Sequence, residues 1–217
     1  MGVGFARETR LILALVIAAT EPALAAPLIA ATEACLAADN WPTWSSDGLE
    51  AYRAALLARH PVVQTFPRTG KRGRPRRPRL VAHPRLRYGQ VVKQRDALHH
   101  IVAVRTRGVF GAPPLTDIRT VYLERQNGTL RHDNRRLTRK TLAFSKALTG
   151  LRGQLTTYQA YANLCRPHRG LAQRVDQRVR GRTWRRWAPR TPAMAAGIAD
   201  HVWSLRELMT LRIYIND

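Results

Sequence analysis

An α/β fold follows from three observations. A short, continuously apolar run lies near the start, strand-type and helix-type segments then alternate, and two later β-type runs face each other across a polar turn. The first run, Thr9 to Ala18, is short, unbroken and contains branched residues, so it predicts a fully buried strand. Thr20 suits a helix N-cap, with Glu21 and Pro22 in the first turn of a helix predicted to reach Ala38. After Asn40-Trp41-Pro42, "TWSSDG" predicts a strand ending at Asp47. From Gly48 onward, Leu49, Tyr52 and Leu56 fall on one face of a second helix. Strand, helix, strand, helix implies a sheet with some parallel pairing.

Beyond this point the character changes. "VVQTF" is a candidate strand that runs into "GKRGRPRRPRL", which has too many prolines for a helix and too little apolar surface to pack. "YGQVVKQR" and "HHIVAVRTR" predict a hairpin turning at Asp96-Ala97. Past Pro113-Pro114 the pattern turns helical, first over Val121 to Arg131. A further helix carries Leu148, Leu151, Leu155, Tyr158 and Ala162 at three- and four-residue spacing. The Arg-rich "RVDQRVRGRTWRRW" predicts a surface loop. Four segments result: a strand-helix-strand-helix core over 1–65, a basic loop and hairpin over 66–116, a helical part over 117–170 and a basic tail over 171–217.

Charge narrows the partner. The chain has 37 Lys and Arg against 14 Asp and Glu, a formal charge of +23. The excess begins after residue 65: Phe66 to Arg107 hold 13 basic residues against Asp96 alone. Arginine dominates, and its planar fork suits phosphate, so a polyanion, nucleic acid first, is the expected partner. Cys35 and Cys165 stand far apart without Cys/His spacing, which argues against a zinc site and gives no support to a disulfide framework. Leu11 to Ala19, followed by Ala23-Leu24-Ala25, imitates a secretory signal, but Glu8 and Glu21-Pro22 fit a buried strand better. The run is too short to span a bilayer.

Arg72-Gly73-Arg74-Pro75 resembles the AT-hook, an extended arm for the minor groove, and Arg76 and Arg77 continue its charge. Taken alone it predicts a non-enzymatic DNA-binding protein. Two carboxylates suggest chemistry. Asp47 stands at a predicted strand end, where ligands gather in open α/β sheets, although on position alone an Asx turn or helix N-cap before Gly48 suits it better. Glu124 lies in the first turn of its predicted helix, a place that also complements the helix dipole. Asn127 and Arg131 follow on the same face and Arg125 is adjacent, so a carboxylate and a phosphate-holding cation are expected side by side.

Longer blocks carry a resemblance. "YLERQNGTLRHDNRRLTRKTLAFSKAL" resembles the catalytic-glutamate block, E-R-x-N-x-x-L-R followed by R-K-T/S-L-x-F-S-K, of DDE transposases of the insertion-sequence-one type. "SSDGLEAY" is similar to that family's second-aspartate block, "YANLCRPHRGL" to its Y-x-N-x-x-R-P-H segment, and "RTPAMAAGIADHVWSLREL" to its carboxy-terminal tail. The resemblance implies a ribonuclease-H-like mixed sheet flanked by helices, with hydrolytic nicking at transposon ends and attack of the freed 3′-OH on target DNA. It implies that Asp47 and Glu124 hold Mg²⁺ or Mn²⁺. Arg125, Asn127, Arg131, Lys140, Arg166 and His168, with the basic arm, then face DNA. It also implies self-association on DNA, a cytoplasmic, nucleoid-associated setting and no membrane partner. The family's first aspartate sits on a strand ahead of the one "RETRLILALVIA" resembles, and no block here matches it. Glu8 and Asp39 are the nearest substitutes, so the resemblance implies an amino-terminally truncated member, its fold incomplete at that end, with an incomplete acidic triad and impaired cleavage.

Overall fold

The computed structural model describes residues 1–67, 76–138, 142–175 and 187–211. In chain order its elements are β1 (Gly2–Ala6), β2 (Leu11–Val16), α1 (Glu21–Glu33), β3 (Thr43–Asp47), α2 (Glu50–Arg59), β4 (Pro61–Gln64) and β5 (Arg79–Ala82). There follow β6 (Arg87–Arg95), β7 (Ile101–Phe110), α3 (Val121–Asp133), α4 (Leu148–Ala160), β8 (Gln173–Arg174), β9 (Trp187–Ala188), α5 (Pro192–Ala195) and α6 (Leu205–Thr210). The architecture is mixed α/β, as expected. Two compact units divide it: Ala18–Glu124, and Met1–Ile17 together with Arg125–Asp217.

The centre of the Ala18–Glu124 unit is a mixed three-stranded sheet ordered β3-β6-β7. β3 runs parallel to β6, with Thr43 opposite Arg87 and Asp47 opposite Val91, and β6 and β7 form the antiparallel hairpin. Side chains alternate across a strand, so this register sorts residues by face. One face carries Trp44, Ser46, Tyr88 and Gln90. Tyr88 is buried there in a cluster with Ile29, Leu56 and Leu86, with Trp41, Tyr52 and Phe110 packed around it. The polar groups of this face satisfy one another. The Tyr88 hydroxyl lies 2.7 Å from Ser46 Oγ and accepts from Gln90 Nε2 at 2.9 Å, and Arg107 donates twice to Gln90 Oε1, at 2.6 and 3.0 Å.

The other face carries Ser45, Asp47, Gly89, Val91 and Lys93. The segment before α3 crosses it closely: Ser45 Oγ donates to the Asp117 carbonyl at 3.4 Å, and Ile118 is 2% exposed. A Cβ on Gly89 would stand 2.2 Å from Ile118 Cδ1, so only glycine permits this approach. α1 begins as its sequence dictates, with Thr20 Oγ1 accepting from the Ala23 amide at 3.4 Å and proline in the first turn.

Three expectations require correction. The strand expected over Thr9 to Ala18 is β2, which spans only Leu11–Val16 and is buried at Leu11, Ile12 and Ala14 alone, because it pairs with β1 in a two-stranded sheet; Thr9 and Arg10 belong to the hairpin turn, where Arg10 takes a left-handed φ of 61°. α1 stops at Glu33, well short of Ala38. The amides of Cys35 and Leu36 close three-residue turns on Thr32 and Glu33, and the Glu33 carboxylate is taken by Arg59 and His60. Finally, β1 and β2 form a sheet of their own, as do β4 with β5 and β8 with β9, so among the described residues the mixed sheet has three strands.

In the second unit β2 is fastened by α4 and the π-helical turn Tyr161–Cys165 that continues it. Asn163 accepts from the Ile12 amide at 3.0 Å and donates to the Ile12 carbonyl at 2.9 Å. Gln159 adds bonds to the carbonyls of Ile12 and Leu13. Of the predicted helical face, Leu155 and Tyr158 of α4 and Ala162 of the π-helical turn are buried, whereas Leu151 is half-buried and Leu148, at the first turn of α4, is 48% exposed.

Candidate functional site

Asp47 closes β3 at the edge of the sheet, exposed, with Oδ1 accepting from the Leu49 amide at 3.2 Å. This is the Asx turn, and it launches the chain toward α2, whose N-cap residue Leu49 supplies no side-chain bond. Glu124 lies in the first turn of α3, its own amide bonded to the Thr120 carbonyl at 2.8 Å. Its Oε1 accepts from Lys93 Nζ at 2.5 Å and from Thr120 Oγ1 at 3.0 Å. Lys93 is two residues beyond Val91, the partner of Asp47, and on the same face. At a rise of about 3.4 Å per residue and a strand spacing of about 4.8 Å, the Asp47 and Lys93 backbones stand roughly 8 Å apart. The two carboxylates expected from the sequence therefore serve one face of one sheet, with Lys93 at Glu124.

The electrostatics follow from that lysine. Its hydrogen bond holds the Glu124 carboxyl below the ordinary glutamate value, Thr120 adds to the effect, and burial opposes it. Lys93 was not foreseen. Its signal was available only after pairing, since that pairing puts it on the Asp47 face of β6, two residues beyond Val91.

Mg²⁺ requires several oxygens in near-octahedral array. Glu124 Oε1 is held by an ammonium and a hydroxyl, and Asp47 Oδ1 by a backbone amide. Among the described residues no group of three His, Cys, Asp or Glu is placed to share an ion. Glu8 is ion-paired with Arg7 in the β1–β2 turn. As arranged, these residues do not fit the divalent ion that the resemblance implies.

The expected phosphate contacts divide. α3 carries Glu124, Arg125, Asn127 and Arg131, and the boundary between the two units falls after Glu124. Arg125 and Arg131 are exposed. Asn127 turns inward, and its Oδ1 is buried without a hydrogen-bond partner. Arg166 is committed to Asp133, which also accepts from the Tyr158 hydroxyl at 3.0 Å. Burial tends to raise the Asp133 carboxyl, yet His132, Arg166 and Tyr158 together hold it below its ordinary value. Burial and Asp133 push Tyr158 up to about 12. His168 is half-buried; burial, then Arg10, Arg125 and Arg166, lower its pKa, and Nδ1 accepts from the Gly170 amide at 3.1 Å. Its Nδ1 thus serves as an acceptor, with arginines nearby holding its pKa down.

In the Ala18–Glu124 unit the basic arm joins β4 to β5. Arg76 and Arg77 are exposed, and Arg76 and Arg79 lie over the Phe66 ring at 5.7 and 5.5 Å. Arg72, Arg74 and Lys140 lie outside the described residues. Among the described residues no helix is long and apolar enough to cross a membrane. No family model, curated protein or solved structure matches the chain.

Proposed function

We propose that this chain is a DNA-binding protein of the insertion-sequence-one transposase type whose carboxylate pair is not set for metal-dependent cleavage. The observation that carries the reading is the charge. A formal excess of +23 remains while the acids are spent locally: Glu33 on Arg59 and His60, Glu50 on Arg53, Glu124 on Lys93 and Asp133 on Arg166. Local pairing of the acids leaves the basic excess for a polyanion. The ion pair on Glu124 and the Asx turn at Asp47 favour binding over strand cleavage. The blocks resembling the transposase family support duplex DNA, at transposon ends and target, as the polyanion, and self-association upon it.

Binding of a fluorescent duplex, followed by anisotropy from 50 to 300 mM KCl, tests this. The logarithm of affinity is expected to fall linearly with the logarithm of salt, by about 0.9 for every phosphate neutralised. Affinity that is absent, or indifferent to salt, refutes the binding. With Mg²⁺ or Mn²⁺ the chain is expected to leave end-sequence DNA uncut. Nicking that Asp47→Ala abolishes would show that the carboxylates do assemble a competent site.

A further inference from the structure

We infer that the distal β6–β7 hairpin is an arm that enters the major groove of duplex DNA, with Leu98 at its apex set against the bases. The inference rests on the nucleic-acid reading above and adds the mode of contact. β3 accompanies β6 only as far as Val91, so Val92 to Arg95 and their partners on β7 run on as a two-stranded ribbon. Four residues at about 3.4 Å each give roughly 14 Å of reach before the turn. The major groove is about 8.5 Å deep and about 12 Å wide, and it admits a two-stranded ribbon.

The apex is built to hold its shape. The His99 amide closes the turn on the Asp96 carbonyl at 3.0 Å, and the Asp96 amide bonds the His100 carbonyl at 3.0 Å. Asp96 Oδ1 accepts from the amides of Leu98 and His100 at 2.9 and 2.8 Å, and Arg95 donates to the His99 carbonyl at 2.7 Å. His99 takes φ 65°, the left-handed residue that completes such a turn. What this turn displays is apolar. Leu98 is 75% exposed, and Val102 and Val104 behind it are 64% and 58% exposed. A tight turn ordinarily displays small polar residues, so a leucine at the tip of a turn held by five hydrogen bonds, two of them between backbone groups, marks a partner surface.

Charge selects the partner. Arg95 on β6 and Arg105 on β7 are exposed on the same ribbon, and the single acid, Asp96, has its carboxylate turned onto the turn amides, with Oδ2 3.5 Å from His100. Two such arms repel one another, whereas the groove of a duplex is anionic and its thymine methyls are the apolar contact it offers.

The experiment compares a duplex of A·T pairs with the same duplex carrying uracil in place of thymine, for the wild-type chain, Leu98→Ser and Arg105→Gln. The wild type is expected to bind the thymine duplex about fourfold tighter, the value of one buried methyl group. Leu98→Ser should erase that preference and weaken binding by about tenfold without changing the salt slope. Arg105→Gln should keep the preference and reduce the slope by about 0.9. Salt-dependent binding that is indifferent to both Leu98→Ser and the thymine methyl overturns the arm alone. Absence of salt-dependent binding by the wild type overturns the nucleic-acid reading and the arm with it. If Leu98→Ser instead dissociates a protein oligomer in sedimentation and leaves DNA affinity unchanged, the surface belongs to a second copy and the inference is wrong.

Discussion

Replacing Lys93 by methionine removes the ammonium from Glu124 and keeps the aliphatic stem on the sheet. Side-chain exposures of 33% and 49% make this a partly exposed pair, so it contributes about 0.2–1 kcal/mol to folding. The bond from Thr120 and the place of Glu124 in the first turn of α3 survive the change. Destabilisation should therefore stay below about 1 kcal/mol, a fall in Tm of less than about 4 °C for a chain of this size. A double-mutant cycle with Glu124→Gln, measured by urea unfolding, should recover a coupling in the same range. The sign of its pH dependence is set by the lowered carboxyl. The contribution is complete above the ordinary value of 4.5 and is lost as pH falls through the folded-state value. Coupling that is present at pH 7 and is lost on acidification through the lowered Glu124 carboxyl is the expected result. No coupling at pH 7, or coupling that persists in acid, refutes the assignment of Lys93 as the group that holds Glu124.

Two further outcomes test the scaffold. Asn163→Ala strips the Ile12 amide of its partner while Gln159 still serves the Ile12 carbonyl, so it should cost about 1–3 kcal/mol in urea unfolding. An unchanged midpoint would show that Asn163 does not fasten β2. Gly89→Ala forces a methyl against Ile118 Cδ1 and should cost about 1–3 kcal/mol, part of which the added change Ile118→Val restores by removing that atom. A tolerated Gly89→Ala would mean that the segment before α3 does not lie on the sheet as described.

The parts of this fold that were legible in the sequence are those written locally. Thr20 with Glu21 and Pro22 announces α1, "TWSSDG" gives β3 its end at Asp47, and Asp96-Ala97 marks the turn between β6 and β7. What was illegible depends on partners distant in the chain. β1 contains two glycines in five residues and acquires strand structure from β2. The end of α1 is not marked by Gly or Pro in "ATEACLA"; the carboxylate of Glu33 is drawn to Arg59 and His60. Of the site, Asp47 and Glu124 could be named from residue type and position. Lys93 could not, because its importance arises from a parallel pairing and from a helix 31 residues later in the chain. Asn163, quoted for its block, serves as a backbone clamp on β2, which its sequence alone does not reveal.

The parallel pairing of β3 with β6 also bears on how the chain reaches this state. Thr43 meets Arg87, so α2, β4, β5 and the Arg/Pro arm between them all lie within the loop that this contact must close. The β6–β7 hairpin closes locally, and β3 must then find it across a long stretch, which is the slow kind of event in folding. A slip of one residue in that search would turn Asp47 to the Tyr88 face and Ser46 to the Lys93 face. Gly89 guards against a slip of two, since Arg87 or Val91, the next residues of β6 on its face, would carry a Cβ into Ile118 if brought beneath it. The glycine that lets the covering segment come close thus doubles as a register key for this sheet.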